Sequence, residues 1–304
     1  MNFPLQRLEA RSSMLGEGML IRRALPHRER RMIGAWCFLD HAGPVDVSHG
    51  QGMRVGPHPH IGLQTFSWLI EGEVLHRDSL GYEQMLLPGQ VNLMTAGRGI
   101  SHSEESPAQR SNNLQLAQLW IALPESHRHM EPAFEHYPVL PRCGVGGFET
   151  TLLVGEFGPQ QSPVKVFTPL LAIDLACSDA AQGTLPLRGD FEHGLLVLEG
   201  SVQVGVPGLP TQDLQAGTLI YMAPDTTELA ISSTAAARVL LIGGEPFREN
   251  VVLWWNFVGR SRDEIVAATE AWNARTDFGE VSGYIGETLN APPVPAELKG
   301  SLTG

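Results

Sequence analysis

Short runs of apolar, β-branched and aromatic residues, each closed after a few positions by glycine or proline, dominate the chain. Thr65 to Ile70, Val91 to Thr95, Leu195 to Leu198 and Val239 to Ile242 are of this kind. Runs this short, bounded by turn formers and repeated along the chain, predict an all-β fold of sandwiches or barrels. Helical periodicity stands out in one place. Ser261 and Glu264 have the spacing of a capping box, in which the hydroxyl accepts an amide proton of the first turn and the carboxylate reaches back. Ile265, Ala268 and Trp272 follow at i, i+3 and i+7, one apolar face. This predicts a helix over about 261–274 that covers a barrel edge or end. Beyond Asn290 the run Ala291-Pro292-Pro293-Val294-Pro295 breaks regular structure and predicts a flexible tail over 291–304.

The pattern repeats at an offset of 128 residues. Leu69-Ile70-Glu71-Gly72 matches Val197-Leu198-Glu199-Gly200, Val74 matches Val202, Gly89 matches Gly217 and Met94 matches Met222. Each half thus holds a strand ending in Glu-Gly, a hairpin, and a glycine turn that opens another strand. A register kept across two separate turns points to duplicated domains. Pro141 to Gly147, where Pro, Cys and Gly cluster, marks the boundary: 1–143 for the first domain and 144–290 for the second, the helix included.

Composition narrows the classes without choosing among them. The 304 residues leave room for two cores, and 42% hydrophobic with 18% charged residues is the range of a soluble globular protein. A net charge of −12 repels phosphate backbones and disfavours direct nucleic-acid binding; the basic run His27-Arg28-Glu29-Arg30-Arg31 reads as a solvated loop or strand edge. Cys37, Cys143 and Cys177 are odd in number and far apart, so free buried thiols in a reducing compartment are expected. Met1-Asn2-Phe3-Pro4 opens no signal peptide, and no apolar run reaches the length of a membrane span, so a cytoplasmic protein is expected.

The candidate chemistry sits in the first half. Pro57-His58-Pro59-His60 precedes an apolar strand, and side chains at i and i+2 of a strand share a face. His102 and Glu104, after a Gly97-Arg98-Gly99 turn, are again at i and i+2. Two strands each delivering two donors into one barrel would make a site of three histidines and one carboxylate. At the repeat offset their places are taken by Pro186, Arg188, Ala230 and Ser232, none of them an obvious replacement ligand. The frame recurs and the ligands do not, which ties them to chemistry rather than to the fold. His193, alone in the second half, is expected to be a hydrogen-bonded structural residue. Nitrogen and oxygen donors with open positions suit Fe(II), Mn, Ni or Cu better than a closed structural Zn.

These segments resemble the cupin superfamily and, within it, the pirin family. Gly52 with His58-x-His60 and Glu71-Gly72 is similar to the first cupin motif, and Met94 through Glu104 to the pirin signature. His76-Arg77-Asp78-Ser79, Leu39 to Pro44, Leu119 to Pro124 and Gly243 to Pro246 also resemble pirin segments. The likeness spans roughly residues 20 to 270. It implies two tandem cupin (jelly-roll) barrels, with iron held in the first by His58, His60, His102 and Glu104. Gln64 stands where the motif and many pirins have Glu, and an amide there would act beside the ligands rather than as one.

The resemblance also implies two functions. Some bacterial pirins open flavonol rings with dioxygen, as quercetin 2,3-dioxygenases; carried over, the metal would bind the flavonol 3-hydroxyl and Glu104 would take its proton. Trp68, Phe66 and Trp120 are then candidate pocket aromatics, although strand aromatics are more often plain core; Asp40 and His41 line the mouth or brace a loop, and His76 sits behind the ligands or on the surface. Other pirins are described as cofactors of transcription, which implies a metal-dependent module with a protein partner and no turnover. A monomer with a small aromatic substrate and O2 is the expectation for the enzyme.

Overall fold

The computed structural model describes residues 5–15 and 19–301. Its strands are β1 (Leu5–Glu9), β2 (Arg11–Leu15), β3 (Met19–Leu25), β4 (Trp36–Asp46), β5 (Arg54–His60), β6 (Leu63–Glu71), β7 (Val74–Asp78), β8 (Glu83–Leu86), β9 (Val91–Thr95), β10 (Ile100–Glu105), β11 (Asn113–Ala122) and β12 (Ala133–Tyr137). The second half continues with β13 (Arg142–Val145), β14 (Phe148–Val154), β15 (Leu170–Cys177), β16 (Ala181–Pro186), β17 (Glu192–Glu199), β18 (Ser201–Gly205), β19 (Gln212–Gln215), β20 (Thr218–Met222), β21 (Glu228–Ser233) and β22 (Ala237–Gly244). A small hairpin, β23 (Val252–Trp254) and β24 (Phe257–Gly259), leads into α1 (Arg262–Asn273).

Each half builds a large and a small sheet. The first pairs β12-β9-β6-β11-β4-β3-β2 with β5-β10-β7-β8; the second pairs β1-β20-β17-β22-β15-β14-β13 with β16-β21-β18-β19. The predicted apolar runs fall inside β6, β9, β17 and β22, as alternation between a packed and an outer face requires. The sequence repeat has a structural counterpart. β6 loses one residue of register against β11 between Leu69 and Glu71, and β17 does the same against β22 between Val197 and Glu199. These bulges sit 128 residues apart, and each is followed by a glycine at positive φ, Gly72 and Gly200, where a side chain would be strained.

The compact units are not the simple halves of the expected division at 143/144. One unit holds the chain up to Arg11, Arg22–Leu39 and Val139–Phe247; the other holds Ser12–Ile21, Asp40–Pro138 and everything from Arg248 on. The reason is strand pairing: β1 runs antiparallel to β20, with Leu5 opposite Met222. The helix belongs with the first barrel's unit, not with the second domain as expected. There Ile265, Ala268 and Trp272 pack with Val252, Phe257, Phe278 and Ala291.

The helix cap forms by halves. Ser261 Oγ accepts from Glu264 N at 3.3 Å, but the Glu264 carboxylate accepts from the charged Arg128 guanidinium and from the Arg260 amide instead of the expected reach back. The expected loose tail is tied down as far as it is described. Asn273 exchanges two hydrogen bonds with the Ala291 backbone, Arg262 donates to Pro295 O, and Ser301 N donates to Val251 O. Val294 and Leu298 pack on the helix cluster. Residues 302–304 lie outside the described part. All three cysteines are free; Cys37 is buried, whereas Cys143 and Cys177 are only half-buried.

Candidate metal centre

β5 and β10 pair antiparallel with His102 directly opposite His58, and Ile100 opposite His60. The ladder then slips: Glu104 faces Val55, so β5 carries one residue more than its partner between Val55 and His58. Pro57, which has no amide proton, lies in that bulge. The carbonyl of Gly56 beside it accepts from His58 Nδ1 at 2.8 Å. His60 Nδ1 donates to the carbonyl of Asn256, 2.9 Å away, in the turn between β23 and β24. A carbonyl only accepts, so both rings carry their proton on Nδ1 and present a bare Nε2.

The donor atoms of His58, His60 and His102 all lie within 4.8 Å of one another, and all three residues are buried. The Nε2 atoms of His60 and His102 are 3.0 Å apart. Two nitrogens at about 2.1 Å from a common ion and at right angles to each other would be separated by about 3.0 Å, so the spacing fits coordination. Burial, the largest cause, holds all three imidazoles toward the neutral form. It brings His58 down to about 4, against the Gly56 bond, and pulls His60 and His102 well below the ordinary histidine value, with their neighbouring histidines adding to the shift. Neutral, bare and convergent nitrogens are what a divalent ion requires.

Glu104 is not in the tight cluster. Its carboxyl lies 3.3 Å from Ser67 Oγ, whose single proton is shared with Gln118 Oε1 at 2.7 Å. Burial raises its pKa, with His76 and the Ser67 bond pulling the other way. The ladder with β7 stays regular here, with His102 opposite Asp78 and Glu104 opposite His76, so both side chains leave β10 on one face.

His76 stands behind the ligands, as one of its readings allowed. It lies 3% exposed, with Nδ1 3.4 Å from His102 Nδ1, Nε2 3.1 Å from Asp78 Oδ2, and its ring stacked on Phe134 at 4.4 Å. Asn256, Asp78, Phe134, Ser67 and Gln118 were not singled out from the sequence. Only Asp78 carried a usable signal, its i, i+2 spacing from His76.

The aromatic candidates divide. Trp120 meets the His60 ring edge-on at 5.1 Å. Phe66 and Trp68 flank Ser67 in an unbroken stretch of β6, so they leave the strand on the face opposite the one that reaches Glu104, and they are buried there. Gln64 shares that opposite face, fully buried, and donates to Thr95 Oγ1 at 3.0 Å. Asp40 and His41 are buried, not at a mouth, and Gln115 donates to His41 at 3.1 Å. His193 departs from expectation: it is fully buried in the second barrel and neither ring nitrogen has a hydrogen-bond partner. It leaves β17 on the same face as Phe191, Leu195 and Val197, which pack in that barrel's apolar core.

Comparison with known proteins supplies the frame for this geometry. The profile described as Pirin matches residues 18–121, and that described as Pirin C-terminal cupin domain matches residues 172–279. A Pseudomonas aeruginosa protein provisionally named quercetin 2,3-dioxygenase is 50% identical over 97% of this chain and 92% of its own length. A pirin-like protein of Caulobacter vibrioides is 34% identical over 88% of this chain and 92% of its own. A crystal structure described as quercetin 2,3-dioxygenase from Acinetobacter baumannii superposes with a TM-score of 0.93 at 48% identity, covering 98% of both chains.

Proposed function

Because the chain belongs to the pirin family of paired cupin barrels, we propose that it is an Fe(II)-dependent dioxygenase of flavonol-type aromatics, with His58, His60, His102 and Glu104 as the metal ligands. The observation that carries this reading is the convergence of three bare, buried imidazole nitrogens near the half-buried Glu104 carboxylate, in a chain about half identical to proteins named for that reaction. Bound there, iron would supply a Lewis acid for a flavonol hydroxyl and redox access to dioxygen. The residues of the chain do the rest. Glu104, with its proton affinity raised by burial, accepts the 3-hydroxyl proton of the substrate. Ser67 lies beside that carboxylate, with Gln118 on its other side, and Trp120 offers an aromatic edge beside His60. Mn, Ni, Cu and Zn are competing occupants of the same donor set.

The test is to load the purified protein with Fe(II), add quercetin in air, and follow loss of flavonol absorbance. The reading expects turnover that disappears in a His58→Ala, His102→Ala double variant. Equal rates in the two proteins sink it, and favour a metal-bearing module that binds a protein partner without turnover.

A further inference from the structure

The three imidazoles are not held in the same way. His58 and His60 give their Nδ1 protons to backbone carbonyls, which no side-chain substitution removes. His102 has only side chains behind it, and their hydrogen bonds can be followed to a fixed end. Asp78 is 2% exposed, and its Oδ1 accepts the backbone N–H groups of Leu80 at 2.9 Å and Tyr82 at 3.1 Å. Its other oxygen, Oδ2, lies 3.1 Å from His76 Nε2. A carboxylate oxygen accepts, so His76 carries a proton on Nε2, and in the neutral ring Nδ1 is then an acceptor. That acceptor faces His102 Nδ1 at 3.4 Å, so the proton between them belongs to His102. His102 Nε2 is thereby left bare and aimed at the point shared with His60.

We propose that Asp78 and His76 are positioning residues that fix the tautomer of His102, making its Nε2 a metal donor. The inference rests on the reading of His102 as a ligand. Three further observations support it. The β7–β10 pairing puts Asp78 opposite His102 and His76 opposite Glu104, so the two pairs come from adjacent strands at matching i, i+2 positions. Phe134 stacks on His76 with only 15° between the planes, which limits the ring to one plane. The Asp78 loop is itself fixed, since Ser79 N donates to Ser101 O at 2.9 Å. His102 is thus the one ligand of the three whose donor state depends on replaceable side chains.

The experiment uses Zn(II), which is diamagnetic, as the probe. Long-range proton–nitrogen NMR of the Zn(II)-loaded wild type should show His76 with its proton on Nε2 and Nδ1 bare. A proton on Nδ1 of His76, or on both nitrogens, overturns the proposal. Zn(II) competition against a chelator should then show affinity weakened about 10- to 100-fold in Asp78→Asn and in His76→Phe, the latter keeping the stack on Phe134. Thermal unfolding of the metal-free variants, within a few degrees of wild type, separates this from a general loss of fold. Unchanged Zn(II) affinity in both variants also overturns it. A wild type that takes up neither Zn(II), Fe(II) nor Ni(II) removes the metal reading itself and this inference with it, whereas binding by wild type and variants alike removes this inference alone.

Discussion

A buried imidazole serves a metal only when one nitrogen is bare and something fixes the proton on the other. His58, His60 and His102 meet that condition in two ways, backbone carbonyls for the first two and a side chain for the third, and His193 shows what happens when no partner exists. Burial brings His193 down to about 4, and its nitrogens are unpartnered. The sign follows directly. The folded protein holds the neutral ring while the unfolded chain takes a proton below about 6.5, so the pH-dependent cost of His193 is absent near neutrality and grows as pH falls from 6.5 toward 4. Between pH 7 and pH 5 the loss should be about 2 kcal/mol. His193→Leu should flatten this acid limb, as read from urea midpoints at the two pH values; an equal slope in variant and wild type contradicts the account. Glu104→Gln probes the other ionisable residue. It should keep Zn(II) uptake at the three histidines while lowering quercetin turnover by about 100-fold or more; unchanged turnover removes Glu104 as the proton acceptor. Much at this scale was legible. His-x-His and His-x-Glu share a face by the two-residue repeat of a strand, and the repeat offset showed that the second half lacks them. The direction of the Glu104 carboxyl was not legible, because its partner Ser67 comes from another strand. Residue type alone leaves Phe66 and Trp68 as either pocket or core; their parity relative to Ser67 decides the face.

Segments far apart in sequence complete the centre. The turn between β23 and β24 supplies the Asn256 carbonyl to His60 from 196 residues away, and no sequence pattern advertises a backbone acceptor. The same C-terminal region supplies α1 and the strap after it. Helix and cap were legible because capping and apolar periodicity are local, but the fate of the Glu264 carboxylate was not, since Arg128 arrives from another part of the chain. Proline richness suggested a loose tail, yet proline bars only regular structure and leaves packing possible: Ala291, Val294 and Leu298 are all engaged with the helix cluster. Ending the chain after Asn290 should therefore lower the thermal midpoint by several degrees, the size expected for about 1–3 kcal/mol in a protein of this length. An unchanged midpoint in calorimetry would mean that the strap contributes nothing. Ser261→Ala should cost about 1 kcal/mol through the lost cap, measured by chemical denaturation.

For the whole molecule, duplication explains both the likeness and the difference of the two barrels. The Glu-Gly turns and the bulges before them recur at one offset, whereas among the described residues the three-histidine cluster lies in the first barrel. In the other barrel the face that carries His193 is filled by apolar packing. The sequence repeat exposed that asymmetry, but not the exchange of segments between the compact units, which depends on β1 pairing with β20. The most direct test of the central claim is anomalous diffraction from crystals of the Fe(II)-loaded protein. One peak is predicted, about 2.0–2.2 Å from the Nε2 atoms of His58, His60 and His102, with the Glu104 carboxylate turned onto it. A peak in the second barrel, or no peak among those three nitrogens, would contradict the account.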